Sequence, residues 1–251
     1  MTGRTDAPAD APAAAGPASV GGEPATGDEA ARDPPPAEAV VGEPRWPMAA
    51  AVVTAIVLTL LAPVAVRAHP HWVLPVLEGV LLVALIAGDP GKIDRRSALL
   101  RTLSTVLVAV LVLGAMWSTV RLVDDLIHGG PETNSANELL AAGAIVWVAN
   151  TIAFALLFWE LDSGGAAERA HRRPVHPDFA FPQQMNPELA PAWWRPQFVD
   201  YLYLSITNAT AFSPTDTMPL APWAKIAMAI QSVISIAITG LVIARAVNIF
   251  T

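Results

Sequence analysis

Between Ser205 and Asp216 the sequence gathers side chains that can hold a cation. Thr207, Asn208, Thr210, Ser213 and Thr215 offer hydroxyls or an amide, and Asp216 adds a carboxylate. Ala211, Phe212 and Pro214 lie among them. Neutral oxygens with one acid suit weak, reversible ion contact rather than covalent chemistry. Outside this stretch, Glu78 is the one carboxylate well inside an apolar run, and Asn150 and Gln231 are amides inside two others. An acid in that position is costly and is a proton- or cation-site candidate, although the run around Glu78 is short enough for it to reach water or pair with an Arg at an interface. Asn150 and Gln231 fit hydrogen bonds between helices.

Other chemistries find no support. There is no Cys, which removes thiolate catalysis, disulfides and Cys-based metal sites. No G-x-S-x-G, H-E-x-x-H or paired catalytic carboxylates occur, so neither an enzyme nor a cofactor is expected. Gly88 to Lys92 lacks the spacing of a phosphate loop and has Ile93 after the Lys. Glu168, His171, His176 and Asp178 match no structural zinc spacing, with Pro174 and Pro177 between them, and His69 and His71 are no better. A net charge of −7 argues against nucleic acid.

The elements around these residues are read from hydropathy. The chain has 251 residues, 53% hydrophobic and 15% charged, but the average hides two regimes. Residues 1–45 are Ala, Pro, Gly and acid, which cannot offset their ordering entropy, so a disordered tail is expected. It is long, acidic and without an early apolar run, unlike a signal peptide. Residues 46–160 hold four apolar runs: Met48 to Val66, Trp72 to Ala87, Leu103 to Val120 and Leu139 to Trp159. A polar, Pro-rich connector follows over 161–197, and 198–251 contains the last run, Ile226 to Ala244. The expected fold is all-α: a polytopic transmembrane bundle of about five spans in the cell membrane, with the lipid bilayer as its first partner. In the last run Ser235 and Thr239, like Gly240 and Ala244, form small-x-x-x-small pairs that permit close helix approach, within the bundle or between subunits.

Phe198 to Thr210 reads as a separate short helix. Phe198, Leu202, Ile206 and Ala209 share one face; Asp200, Tyr203, Thr207 and Thr210 share another. At about 20 Å it falls short of the ~30 Å hydrocarbon core, and Ser213-Pro214-Thr215-Asp216 then reads as a turn. A short helix, a polar turn and a return before the last span describe a re-entrant half-helix.

The stretch Ser205 to Pro219 resembles the pore loop of potassium channels, with Ser205, Thr210, Asp216 and Pro219 in register. The resemblance covers that loop and the next helix, and it implies a two-helix pore unit assembled as a homo-tetramer around an ion path. Its selectivity filter is degenerate: Ala211, Phe212, Ser213, Pro214 and Thr215 stand where the family has T-V-G-Y-G. Ser213 and Thr215 replace the glycines that let carbonyls face the ion, and Pro214 restrains its own φ and that of Ser213. A potassium filter is therefore not expected, and restoring two glycines should not create one. Residues 45–251 also resemble uncharacterised multi-pass proteins of high-GC bacteria, which imply no activity. The expectation is an ion-channel-like protein with a weakly selective or non-potassium pathway. The alternative is a non-conducting scaffold or accessory subunit that keeps the loop as a structural hairpin. Orientation is in conflict. Lys92, Arg95, Arg96, Arg101 and Arg169, Arg172, Arg173, Arg195 put the 161–197 connector in the cytoplasm by the positive-inside rule. A potassium-channel-like loop would enter from outside. The charge rule is preferred because it draws on the whole chain.

Overall fold

The computed structural model describes residues 42–129, 135–171, 176–186, 188–191, 194–210 and 216–250. The described chain is mostly helical. α1 spans Trp46–Leu61, α2 Val73–Gly88, α3 Ala98–His128 and α4 Ala136–Leu161. Two short helices follow, α5 over Ala166–His171 and α6 over Pro182–Met185. Then come α7, Phe198–Thr210, and α8, Pro222–Phe250. Two antiparallel two-residue pairs tie loops together: β1 (Glu43–Pro44) with β2 (Lys92–Ile93), and β3 (Phe179–Ala180) with β4 (Met218–Pro219). α3, α4 and α8 are long and apolar enough to cross a membrane; α1 and α2 are shorter apolar helices.

α4 is the axis of the bundle. It packs against α1, α3, α7 and α8, and residues from Asn150 to Glu160 are buried almost without interruption. A helix apolar on all sides is stable where neighbouring helices or lipid cover it. Gly143 makes one of these approaches possible, because a Cβ there would meet Val242 of α8 at 2.8 Å. Gly240, by contrast, has nothing within 4 Å of where its Cβ would be, so the small-residue pair it forms with Ala244 is not what joins α8 to α4.

Element boundaries depart from the apolar runs for identifiable reasons. α1 stops at Leu61, and a 3₁₀ turn takes over at Val64–Val66. Pro63 has no N–H to offer Thr59 and so ends the helix there. α3 overruns its apolar run at both ends, taking in Arg101, Arg121, Asp124 and Asp125; Arg121 pairs along the helix with Asp124 at 3.4 Å and Asp125 at 3.9 Å.

The ends of the bundle can be told apart. β1 pairs with β2, Trp159 Nε1 donates to Glu43 at 2.9 Å, and Asp178 N donates to Asp162 at 3.1 Å. These contacts join residues 42–45, 88–97 and the connector after α4 at one end. Among described residues that end carries Arg45, Lys92, Arg95, Arg96, Arg101, Arg169, Arg195 and Lys225. The other end carries Arg67, Arg121 and Arg245. The first is called the basic end.

Candidate functional site

α7 occupies the residues its periodicity predicts, but it is rotated. Its buried face is Phe198, Tyr201, Leu204, Ser205 and Ala209, while Ile206 and Tyr203 are exposed and Leu202 is half-buried. Two polar side chains, Tyr201 and Ser205, thus turn inward in place of Leu202 and Ile206. They do so because partners wait for them.

At the basic end the Tyr201 hydroxyl donates to the buried Asp162 carboxylate, just past the end of α4. Asp162 also accepts from Ser163 Oγ at 2.8 Å and from Asp178 N. Arg169 lies over the Tyr201 ring, 5.0 Å from its centroid, and donates to the carbonyls of Trp159 and Asp162 at 2.8 and 2.7 Å. A cation bonded to the last carbonyls of a helix satisfies orphan acceptors and complements the dipole. The backbone folds back between the two through Gly164 and Gly165, both at positive φ. Glu43, reaching from β1, accepts from Phe198 N and so caps the start of α7. Burial pushes the Glu43 carboxyl above its ordinary range; Arg169 and the donors from Trp159 and Phe198 oppose that shift without cancelling it.

The connector is therefore a folded cap, not merely a polar loop. Phe179 and Phe181 are buried and meet the Tyr201 ring edge-on at 6.3 and 5.2 Å. Glu43 and Arg45, which composition assigns to the tail, belong to the same cap: both are buried, and Arg45 bonds Asp89 at 3.1 Å.

Further along, a polar ladder joins α7 to α4 and α8. Ser205 Oγ donates to Thr151 O at 2.7 Å, and Gln231 Nε2 donates to Ser205 O and Oγ at 3.1 and 2.6 Å. Asn208 Nδ2 donates to Met228 O and Gln231 Oε1 at 2.9 and 2.7 Å, and Ser232 Oγ donates to Asn208 Oδ1 at 3.1 Å. These pairings fix directions. α7 begins beside the end of α4 and runs back along it as far as Thr151, with Ala209 and Thr210 beside Trp147 and Val148 in an apolar groove of about 570 Å³. α8 also begins at the basic end, where Trp223 meets Phe179 at 5.6 Å and Leu220 N bonds Asp178 O at 2.8 Å. α7 and α8 thus run in the same direction. The last turn of α7 lies beside Met228 to Ser232, roughly 10–15 Å into α8 at 1.5 Å per residue. The described chain resumes at Asp216, and β4 pairs with β3 at the basic end.

The remaining candidates separate clearly. Thr207 Oγ1 donates to Tyr203 O and Leu204 O at 3.0 Å each, and Thr210 Oγ1, exposed, donates to Thr207 O at 3.0 Å. The Asn208 amide is spent on α8. Ala211, Phe212, Ser213, Pro214 and Thr215 lie outside the described residues. Asp216 is exposed where the chain returns. Asn150 Nδ2 donates to Thr119 Oγ1 at 2.5 Å, joining α4 to α3. Glu78 is elsewhere, 2% exposed between α1, α2, α3 and α4. Glu168 pairs with Arg96 at 3.0 Å, and Asp178 accepts from Ser163 N at 2.8 Å. Sequence reasoning missed Glu43, Asp162, Arg169 and Tyr201. Only the Asp162-Ser163-Gly164-Gly165 turn signal pointed toward them.

Comparison with family models, with curated proteins and with solved structures finds no match, so the functional reading rests on this geometry. Among the described residues the fold is mainly α-helical, with three helices of membrane-crossing length and composition.

Proposed function

We propose that this is a cell-membrane protein of five crossings, α1 to α4 and α8, with α7 as a re-entrant half-helix entering from the cytoplasmic, basic end. Copies assemble as a homo-oligomer, a tetramer on the pore-loop resemblance, and the segment after α7 lines a weakly selective, non-potassium ion pathway. One observation carries this reading: α7 runs parallel to α8 from the same end and stops part-way along α4. A helix that ends inside the bilayer presents the negative end of its dipole there, and backbone that turns at that depth needs protein or water around it. The apolar exposed face of α8, with Ile226, Ile230, Val233 and Ile236, suits lipid or a neighbouring copy. Purified protein in planar bilayers tests the reading. Single-channel steps without potassium selectivity are the expected result; electrically silent protein that is monomeric in detergent refutes it.

The second reading is a non-conducting scaffold. It is favoured by the way Ser205, Asn208, Gln231 and Ser232 spend their polar groups on one another, as a purely structural hairpin requires. Silent bilayers with a stable oligomer select it.

A further inference from the structure

The Glu78 carboxylate lies near mid-height of the bundle. The cavity that it lines is walled also by Leu111, Gly114 and Ala115 from the centre of α3, and by Ala149 from the centre of α4. Among the described residues its Oε2 has no hydrogen-bond partner, and no other charged side chain lines the cavity. That cavity holds about 30 Å³, room for one or two waters or a small ion shed of most of its hydration.

The wall supplies further oxygens. Thr59 donates its hydroxyl proton to Ala55 O at 3.0 Å, which leaves the Oγ1 lone pairs for another partner. Ser118 adds a second hydroxyl. The same wall contains the end of α1, where Pro63 deprives the Thr59 carbonyl of its i+4 donor. Arg67 bonds Ala62 O at 2.5 Å and so satisfies one carbonyl of that helix end. A bare carboxylate in such surroundings is costly. The wall is mostly apolar, and its polar side chains, Glu78, Thr59 and Ser118, offer only oxygen. One acid, two hydroxyls and a broken helix's negative end together suit a hard cation of single charge.

We infer that the cavity between α1, α2, α3 and α4 is a binding site for a monovalent alkali cation, with Glu78 as its charged ligand and Thr59 and Ser118 as neutral ones. The site stands apart from α7 and does not depend on the pathway proposed for it.

A carbodiimide that modifies protonated carboxyl groups tests the site on the full-length protein in detergent, with modified peptides located by mass spectrometry. The expected result is modification at Glu78 in choline buffer, with protection by sodium, lithium or potassium chloride at the same ionic strength. Glu78→Gln abolishes that modified peptide. Thr59→Val and Ser118→Ala leave Glu78 modifiable but raise the half-protecting salt concentration about tenfold, the change expected for loss of one good contact. Modification that depends on pH and ignores the alkali cation overturns the inference in favour of proton binding alone. No modification of Glu78 under any condition also overturns it, because an accessible exchangeable site is then absent.

Discussion

Tyr201→Phe deletes one oxygen and nothing else. The side chain is fully buried, its ring packs on Phe179, Phe181 and Arg169, and its hydroxyl donates to Asp162. The ring contacts survive the substitution, so the loss is that of one hydrogen bond to a buried acid. Such bonds contribute about 1.5–3 kcal/mol. Asp162 retains its bonds from Ser163 Oγ and Asp178 N, which keeps the loss from growing into that of an abandoned charge. For a folded region of about 200 residues this lowers the thermal midpoint by roughly 3–12 °C. Eight Trp provide the signal, read as intrinsic fluorescence of detergent-solubilised protein during heating. Tyr203→Phe, one residue pair further along on an exposed position, should leave the midpoint unchanged. Equal effects for the two substitutions, or no effect of Tyr201→Phe, would refute the rotation assigned to α7 and the anchoring of its first turn by Asp162.

Glu43 gives a pH dependence with a defined sign. Its folded-state affinity for a proton is raised by burial, so the folded protein holds that proton to higher pH than the unfolded chain. The stabilising contribution is complete below the ordinary carboxylate range and is lost as pH rises through the higher folded value. The thermal midpoint should therefore fall across that interval, and Glu43→Gln should flatten the fall; an unchanged profile counts against burial of an ionisable Glu43. Gly143→Ala places a methyl group 2.8 and 3.1 Å from the two Val242 methyls and should cost about 1–3 kcal/mol in detergent unfolding. Adding Val242→Ala should recover part of that loss; strict additivity would mean α4 and α8 do not meet there. A single Cys at the exposed His176, in an otherwise Cys-free chain, should resist a membrane-impermeant thiol reagent in intact cells. Ready labelling reverses the orientation.

The sequence made the helices legible and left their partners hidden. Phe198–Thr210 could be bounded because a 3.6-residue pattern sits between Pro196 and a polar turn, and the helix begins and ends there. Its rotation could not be read, since Tyr201 and Ser205 face inward only because Asp162, Thr151 and Gln231 receive them. These partners lie 26–54 residues away, beyond any local pattern. Glu43 is further still, 155 residues from Phe198, and reads as one more acid in an acidic tail. Pro63 was visible inside the first apolar run, yet hydropathy alone carried that run past it to Val66. The cap formed by the described residues after α4 was hidden because its composition is that of a loop. Its order comes from Phe179, Phe181 and Arg169 docking on α4 and α7, a tertiary effect that outweighs local preference.

In a re-entrant hairpin the chain enters and leaves at one end of the bundle. Gln197 and Asp216 flank α7, and both are exposed. Single-Cys variants Gln197→Cys and Asp216→Cys, probed with an impermeant thiol reagent in right-side-out and inverted vesicles, measure this directly. Labelling of both in the same vesicle orientation is the predicted result. Labelling of one in each orientation would mean that the segment crosses the membrane, and the re-entrant hairpin would be lost with it.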